Sequence, residues 1–227
     1  MAQAQRKNKQ TRQQRKKSTT QKAVALLVVV VALAATIAIG LSSGTSAPRV
    51  DDGNSAIITG QFQEVNVDGE LLPPLPEDGD DPARDTPAPI LNGYDFRGNP
   101  ITINAANDTR DTLLVFLAHW CPHCNDEVPK LIDWREKGLI PDNLRVVGIT
   151  TGSRNDAPNW PPSDWIEEKK WPFEVLADSE QQTAALAYGL TAYPFMAVVN
   201  AEGVLKTRFS GVVEPTALTE IVTTALK

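Results

Sequence analysis

The sequence predicts an α/β fold, a mixed central sheet with helices on both faces, preceded by one N-terminal transmembrane helix. Three observations carry that prediction. Both cysteines of the 227-residue chain stand together as Cys121-Pro122-His123-Cys124, between an apolar strand and a stretch of helical periodicity. Strand-like and helix-like segments alternate on either side of that motif. Near the N-terminus, nineteen uncharged residues, Ala23 to Leu41, follow a basic segment.

Residues 1–22 carry eight positive charges and no acid, interleaved with glutamines, and read as a disordered cytoplasmic tail. A nucleic-acid-binding tail is the rival reading. The apolar run that follows favours a membrane anchor instead, because nineteen residues at a rise of about 1.5 Å come close to a hydrocarbon core of roughly 30 Å. The apolar region of a cleaved signal peptide is shorter, although the small residues from Ser42 to Ala47 also suit cleavage. The positive-inside rule puts the tail in the cytoplasm and the rest of the chain outside. Residues 23–227 hold 14 Lys+Arg against 28 Asp+Glu, a net of −14, which argues against nucleic acid as a partner.

Residues 42–86 are rich in Ser, Gly, Pro and Asp and read as a spacer stiffened by proline and extended by charge. Within it, Ile57-Ile58 to Val67 alternates weakly and suits an edge strand. Residues 87–227 then form one domain, long enough for its own core. Phe96 to Ile103 reads as a short hairpin around Gly98-Asn99. Thr112 to Leu117 is an apolar strand, and residues 122–137 a helix with Val128, Leu131, Ile132 and Trp134 as its apolar positions. Leu144 to Thr150 is a second strand. A Pro- and Trp-rich excursion follows, with a helix from Asp164 to Lys170 opened by an Asp164/Glu167 capping box. Phe173 to Leu176 is a strand, and Ser179 to Tyr188 a helix between Asp178 as N-cap and Gly189 as C-cap. Phe195 to Val199 and Val204 to Phe209 flank a turn, and Pro215 opens the last helix at the position that suits proline.

The spacing of the two cysteines supplies the chemistry. Cys121 at a helix N-terminus meets unpaired N–H groups and the positive end of the helix dipole, which favour a thiolate, and Cys124 one turn on can close a disulfide with it. A protonated His123 adds to that effect. Two other readings stand beside redox chemistry: an inert bridge, and a metal site in which His119 and His123 complete the set. Four ligands within six residues at a helix start are poorly placed to surround a metal tetrahedrally, and the chain has no other cysteine or histidine. Neither a metal nor a cofactor is expected.

With the motif, element order and anchor together, the chain resembles the membrane-anchored TlpA/ResA-type thiol-disulfide oxidoreductases of the thioredoxin superfamily. The resemblance covers roughly Pro87 to Leu226. It rests on Phe116 to Cys124, on Glu127-Val128-Pro129, on Asp178 ahead of Ala184 to Gly189, and on Tyr193-Pro194-Phe195. It implies a thioredoxin-like fold, with Cys121 as nucleophile and Cys124 as resolving thiol. It also implies a cis Pro194 facing the cysteines, with Trp120, Pro122 and the Tyr193 backbone against an extended substrate. An ordinary strand-entry proline is the plain alternative for Pro194. Glu127 is implied to move protons for the cysteines, and a solvated surface acid is the alternative there. Pro129 is implied to kink the active-site helix.

Two departures bear on the redox direction. Thioredoxin itself has a buried Asp six residues before the first cysteine, where this chain has Val115, so the weight falls on Glu127. The Pro122-His123 pair is that of the oxidising DsbA group, whereas the overall pattern suits a reductase. The expected function is disulfide exchange with thiol- or disulfide-containing proteins on the outer side of a membrane. A Cu(I) metallochaperone, a thiol peroxidase and an inert adaptor are the rivals. Trp160, Trp165 and Trp171 are expected to pack an inserted helix onto the sheet in preference to lining a substrate groove.

Overall fold

A computed structural model describes residues 60–227. The expected basic tail and transmembrane helix lie outside the described residues, as does the first part of the expected spacer. Among the described residues no helix is long and apolar enough to cross a membrane.

The centre of the sheet is β4 (Asp111–Leu117), whose residues from Thr112 onward are all buried. A strand buried on both faces must be apolar along its whole length, and that is how this one reads. Leu114 and Phe116 point into one core cluster, and Leu113, Val115 and Leu117 into the other. At roughly 1.5–3 kcal/mol for each fully buried large apolar side chain, this strand alone anchors both halves of the core. It pairs in parallel with β5 (Leu144–Thr150), which pairs in parallel with β6 (Glu174–Ala177). On its other side it runs antiparallel to β7 (Phe195–Val199), followed by β8 (Leu205–Ser210). Beyond β6 the sheet continues into β2 (Ile90–Tyr94), flanked by β1 (Asn66–Asp68) and β3 (Pro100–Ile103), for eight strands in all.

Among the described residues five helices accompany the strands: α1 (Ala105–Asp108), α2 (Pro122–Glu136), α3 (Pro162–Glu168), α4 (Thr183–Ala187) and α5 (Pro215–Ala225). Val128, Leu131 and Trp134 of α2, Trp165 of α3, and Leu218 and Val222 of α5 share one core cluster. Ala184, Ala185 and Ala187 of α4 lie in the other. The helices therefore cover both faces, as the sequence predicts.

Several elements differ from expectation. The hairpin pairs β2 with β3, and Phe96 belongs to its turn. There the Asp95 carboxylate accepts the N–H groups of Arg97 and Asn99 at 2.8 Å each, which closes the loop before a strand can start. Helix α3 begins at Pro162 with Pro161 at its N-cap, so the expected Asp164/Glu167 capping box does not form. Proline needs no N–H partner at a first helical position, so the start moves forward. Helix α4 is shorter than predicted because Gln182 adopts a left-handed φ of 60° just before it. Asp178 still serves it from a distance, accepting the N–H groups of Ser179, Ala184 and Ala185 at 2.8, 2.9 and 3.2 Å.

The larger correction concerns the expected spacer. Its described part does not hold the domain away but lies along it: Val65, Leu72 and Ala83 are buried in the same cluster as Leu114 and Phe116. The Leu72 and Leu75 N–H groups donate to the carbonyls of Ala187 and Gly189 at 2.9 Å. Arg208, its side chain fully buried, donates through Nε to Asp81 at 2.9 Å and through Nη1 to the carbonyls of Pro73 and Tyr188 at 2.8 Å each. Gly189 is required where the segment crosses α4, since its φ is +62° and a Cβ would overlap the Pro73 carbonyl. Proline and acid content is thus used for docking along this stretch, and composition alone does not separate a docked strap from a free linker.

Arg208→Ala should destabilise the protein by about 3 kcal/mol, because it leaves the Asp81 carboxylate and two carbonyls without their donor. A urea titration checks it, and the loss should shrink at acid pH, since Arg208 is what holds the Asp81 carboxyl below the usual carboxylate range.

Candidate active site

The chain leaves β4 at Leu117, turns through Ala118-His119-Trp120 and enters α2 with Cys121 as N-cap residue and Pro122 at the first helical position. Both cysteines are free thiols, Cys121 6% exposed and Cys124 fully buried. The Sγ of Cys121 lies 4.0 Å from the carbonyl oxygen of Tyr193. The Tyr193-Pro194 peptide is cis, as the resemblance implies, and Pro194 is buried beside the motif at the head of β7. Cys124 Sγ accepts the Ala118 N–H at 3.4 Å. Burial pushes the Cys124 thiol well above its ordinary pKa, and the neighbouring charges of Cys121 and Glu127 push it the same way.

Glu127 is fully buried, which overturns the surface-acid alternative. Its Oε2 accepts the Val213 N–H at 2.8 Å, and its Oε1 has no hydrogen-bond partner. Desolvation raises its pKa from the ordinary 4.5 to about 7, although the Val213 N–H and the Lys130 ammonium both pull downward. Val115, where thioredoxin has its acid, is buried among apolar neighbours. The buried carboxyl near Cys124 comes here from the helix, three residues further on.

His119 does not join the cysteines. Its Nε2 accepts the Arg154 N–H at 3.1 Å, so the proton sits on Nδ1, which donates to the Pro158 carbonyl at 2.7 Å. Burial, with the charge of Arg154, holds this imidazole below the ordinary histidine pKa and keeps it neutral. With both ring nitrogens engaged it is not available to a metal, and this corrects the four-ligand reading. His123 and Pro122 are exposed on the first turn of α2. Trp120 is half-buried, donates through Nε1 to the Gly152 carbonyl at 2.8 Å and meets the Tyr193 ring edge-on at 5.8 Å. Tyr193, its hydroxyl donating to Gln182 at 3.3 Å, has its pKa pushed up to about 12 by burial.

Residues not singled out from the sequence hold this arrangement. Asn125 donates through Nδ2 to the carbonyls of His119 and Cys121 at 3.1 and 3.0 Å and accepts the Trp165 indole N–H at 2.9 Å. Asn159 donates to the His119 carbonyl at 2.8 Å. Gly152 has a φ of +58°, and a Cβ there would stand 2.5 Å from the Tyr193 hydroxyl. Trp165 and Trp171 pack as expected, and Trp165 adds the link to Asn125. A glycine directly after the apolar strand at 144–150 was the available signal for Gly152. Asn125 carried none, since its partners come from residue 119 and from residue 165.

The AhpC/TSA family is matched over residues 81–208, more than half of the chain. The chain belongs to the AhpC/TSA family. Thiol:disulfide interchange protein DsbE of Pseudomonas aeruginosa is similar to it, with 24% identity over 133 residues, 59% of this chain and 63% of that protein. The chain therefore spans about 63% of the length of that curated relative. Among solved structures, a thiol:disulfide interchange protein of the thioredoxin family from Chlorobium tepidum TLS superposes with a TM-score of 0.51 at 22% identity, covering 64% of this chain and 99% of that one. StoA from Bacillus subtilis gives 0.49 at 22% identity, over 60% and 97%. The AhpC/TSA chain thus has a thioredoxin-like fold.

Since the folded protein keeps a proton on Glu127 that the unfolded chain releases, stability should fall as pH rises from about 4.5 to about 7, by up to about 3 kcal/mol. Glu127→Gln should lack this slope, so that urea midpoints of variant and parent, compared at pH 5 and pH 8, diverge in the variant's favour at the higher pH.

Proposed function

We propose that this protein is a thiol-disulfide oxidoreductase of the TlpA/ResA type, tethered by residues 23–41 with its catalytic domain outside the cytoplasm. The observation that carries the reading is the placement of Cys121: N-cap of α2, 4.0 Å from the Tyr193 carbonyl beside a cis Pro194, with Cys124 and Glu127 buried behind it. An extended partner segment hydrogen-bonding to the Tyr193 backbone brings its sulfur to that atom. The names of the DsbE and Chlorobium tepidum relatives support the same chemistry.

The exchange runs in two displacements. Cys121 Sγ, as thiolate, attacks one sulfur of a partner disulfide; the S–S bond breaks, and the other partner sulfur leaves and takes a proton. Cys124 then loses its proton, with Glu127 as the base, and attacks Cys121 Sγ; the bond between Cys121 and the partner breaks, and the second partner sulfur leaves and takes a proton. The partner gains two electrons and two protons, and a Cys121–Cys124 disulfide remains. The same steps reversed oxidise a partner dithiol. A buried thiol with a raised pKa is a poor attacking group without a base, and a carboxyl titrating near neutrality supplies one. The Cu(I) alternative is weakened because His119 has both ring nitrogens occupied.

Cys124→Ser should accumulate mixed disulfides with partner proteins, visible as reductant-sensitive adducts on non-reducing gels, while Cys121→Ser should give none. A metal carrier would trap nothing in either variant. In intact cells, a membrane-impermeant maleimide should label Cys121 in the Cys124→Ser chain after reduction, and protection until lysis would place the domain on the cytoplasmic side.

A further inference from the structure

The loop from 151 to 159 is stapled to the residues just before Cys121. Trp120 holds the Gly152 carbonyl, His119 Nε2 holds the Arg154 N–H, His119 Nδ1 holds the Pro158 carbonyl, and Asn159 holds the His119 carbonyl. Four bonds of 2.7–3.1 Å along one short loop fix its backbone against the active-site turn. From that fixed backbone the Arg154 side chain, exposed, lies with its guanidinium carbon 4.6 Å above the centroid of the Trp120 ring.

Among the described residues, this guanidinium makes no ion pair. Arg145 is held by Asp108 and Glu174, and Arg208 by Asp81, so the buried arginines of the domain are matched to carboxylates. Arg154 is matched only to an aromatic face. An acid stands close in the sequence, Asp156 two residues on, exposed, yet it forms no ion pair with Arg154 among the described residues. A guanidinium lying over an indole keeps its N–H donors free to take a carboxylate in a two-pronged bond. The same indole touches Tyr193 edge-on, and the Tyr193 carbonyl is the group 4.0 Å from Cys121 Sγ. Cation, aromatic floor, strand-pairing backbone and nucleophile therefore follow one another without a break.

We propose that Arg154 is a specificity-determining residue, selecting partner segments that carry a carboxylate side chain beside the reacting cysteine. The inference rests on the disulfide-exchange reading above and adds the substrate class. It runs against the mean field of the chain. Residues 23–227 carry a net of −14, which on its own attracts basic segments and repels acidic ones. A preference for acidic partners must therefore come from a local cation. Because the loop is already fixed, little ordering is lost when a carboxylate binds there.

The test uses the reduced full-length chain in detergent micelles and three symmetrical disulfide-linked peptide dimers, identical except for Glu, Gln or Lys next to the cysteine. Each turnover converts one peptide disulfide to two thiols and leaves Cys121 and Cys124 oxidised, so single-turnover thiol release reads the rate. The Glu peptide should exceed the Lys peptide by about 3-fold at low salt, the size expected of a partly exposed ion pair, and the gap should close at about 1 M salt. Arg154→Glu should invert the order, and Arg154→Gln should leave only the weak preference for Lys that the overall charge dictates. Thiol release at equal rates from all three peptides, or a Glu preference that survives Arg154→Glu, overturns the proposal while leaving disulfide exchange intact. No thiol release from any peptide overturns disulfide exchange itself.

Discussion

The burial of β4 on both faces is the constraint on which the rest depends. Because Leu113 to Leu117 are held between two helical layers, the chain must leave the sheet at one defined point. Only three residues then separate Leu117 from Cys121. Cys121 takes its place from this buried strand, and β7, paired to the same strand from Thr112↔Val199 to Phe116↔Phe195, carries Tyr193 and Pro194 up to it. Both walls of the site are extensions of one antiparallel pair.

The same packing divides the site into a wet and a dry half. His123 and Trp120 lie toward solvent and Cys121 keeps only a small exposed surface, while Cys124 and Glu127 lie fully inside. A low-dielectric environment disfavours charge on either of the inner groups, and the raised pKa values of both have that common cause. Among the described residues Glu127 Oε1 has no hydrogen-bond partner, so the buried carboxyl keeps one oxygen open to a proton. The energetic cost of burying an unmatched carboxyl oxygen is what gives the inner half its chemical use.

The outer half depends on long-range contacts that the strands do not dictate. His119 is spent on the 151–159 loop, Asn125 ties α2 to α3 through Trp165, and Gln61 of the N-terminal strap grips Ser163 at the start of that helix at 2.9 and 3.1 Å. Through the first turn of α3, these side-chain bonds link Gln61 to the carbonyl of Cys121.

Local pattern was enough for the elements whose signals are carried by adjacent residues. The strand at 144–150, the proline that opens α5, the strand at 195–199 and the motif's position at the head of a helix all follow from spacing, periodicity and the chemistry of proline. The cis geometry of Pro194 and the importance of Glu127 were implied by resemblance, and the burial of that acid required the fold. What the sequence left open was decided by partners distant along the chain. Phe96 lost its strand to the Asp95 turn, Gln182 cut α4 short, and the stretch before residue 87 set Val65, Leu72 and Ala83 into the core because α4 and Arg208 offered carbonyls and a cation at the right spacing. His119 likewise took its partners from a loop about 35 residues away. Hydrophobic period and backbone preference are local properties and can be read along a chain, whereas the pairing of a single polar group is fixed only when folding brings its partner within 3 Å or so.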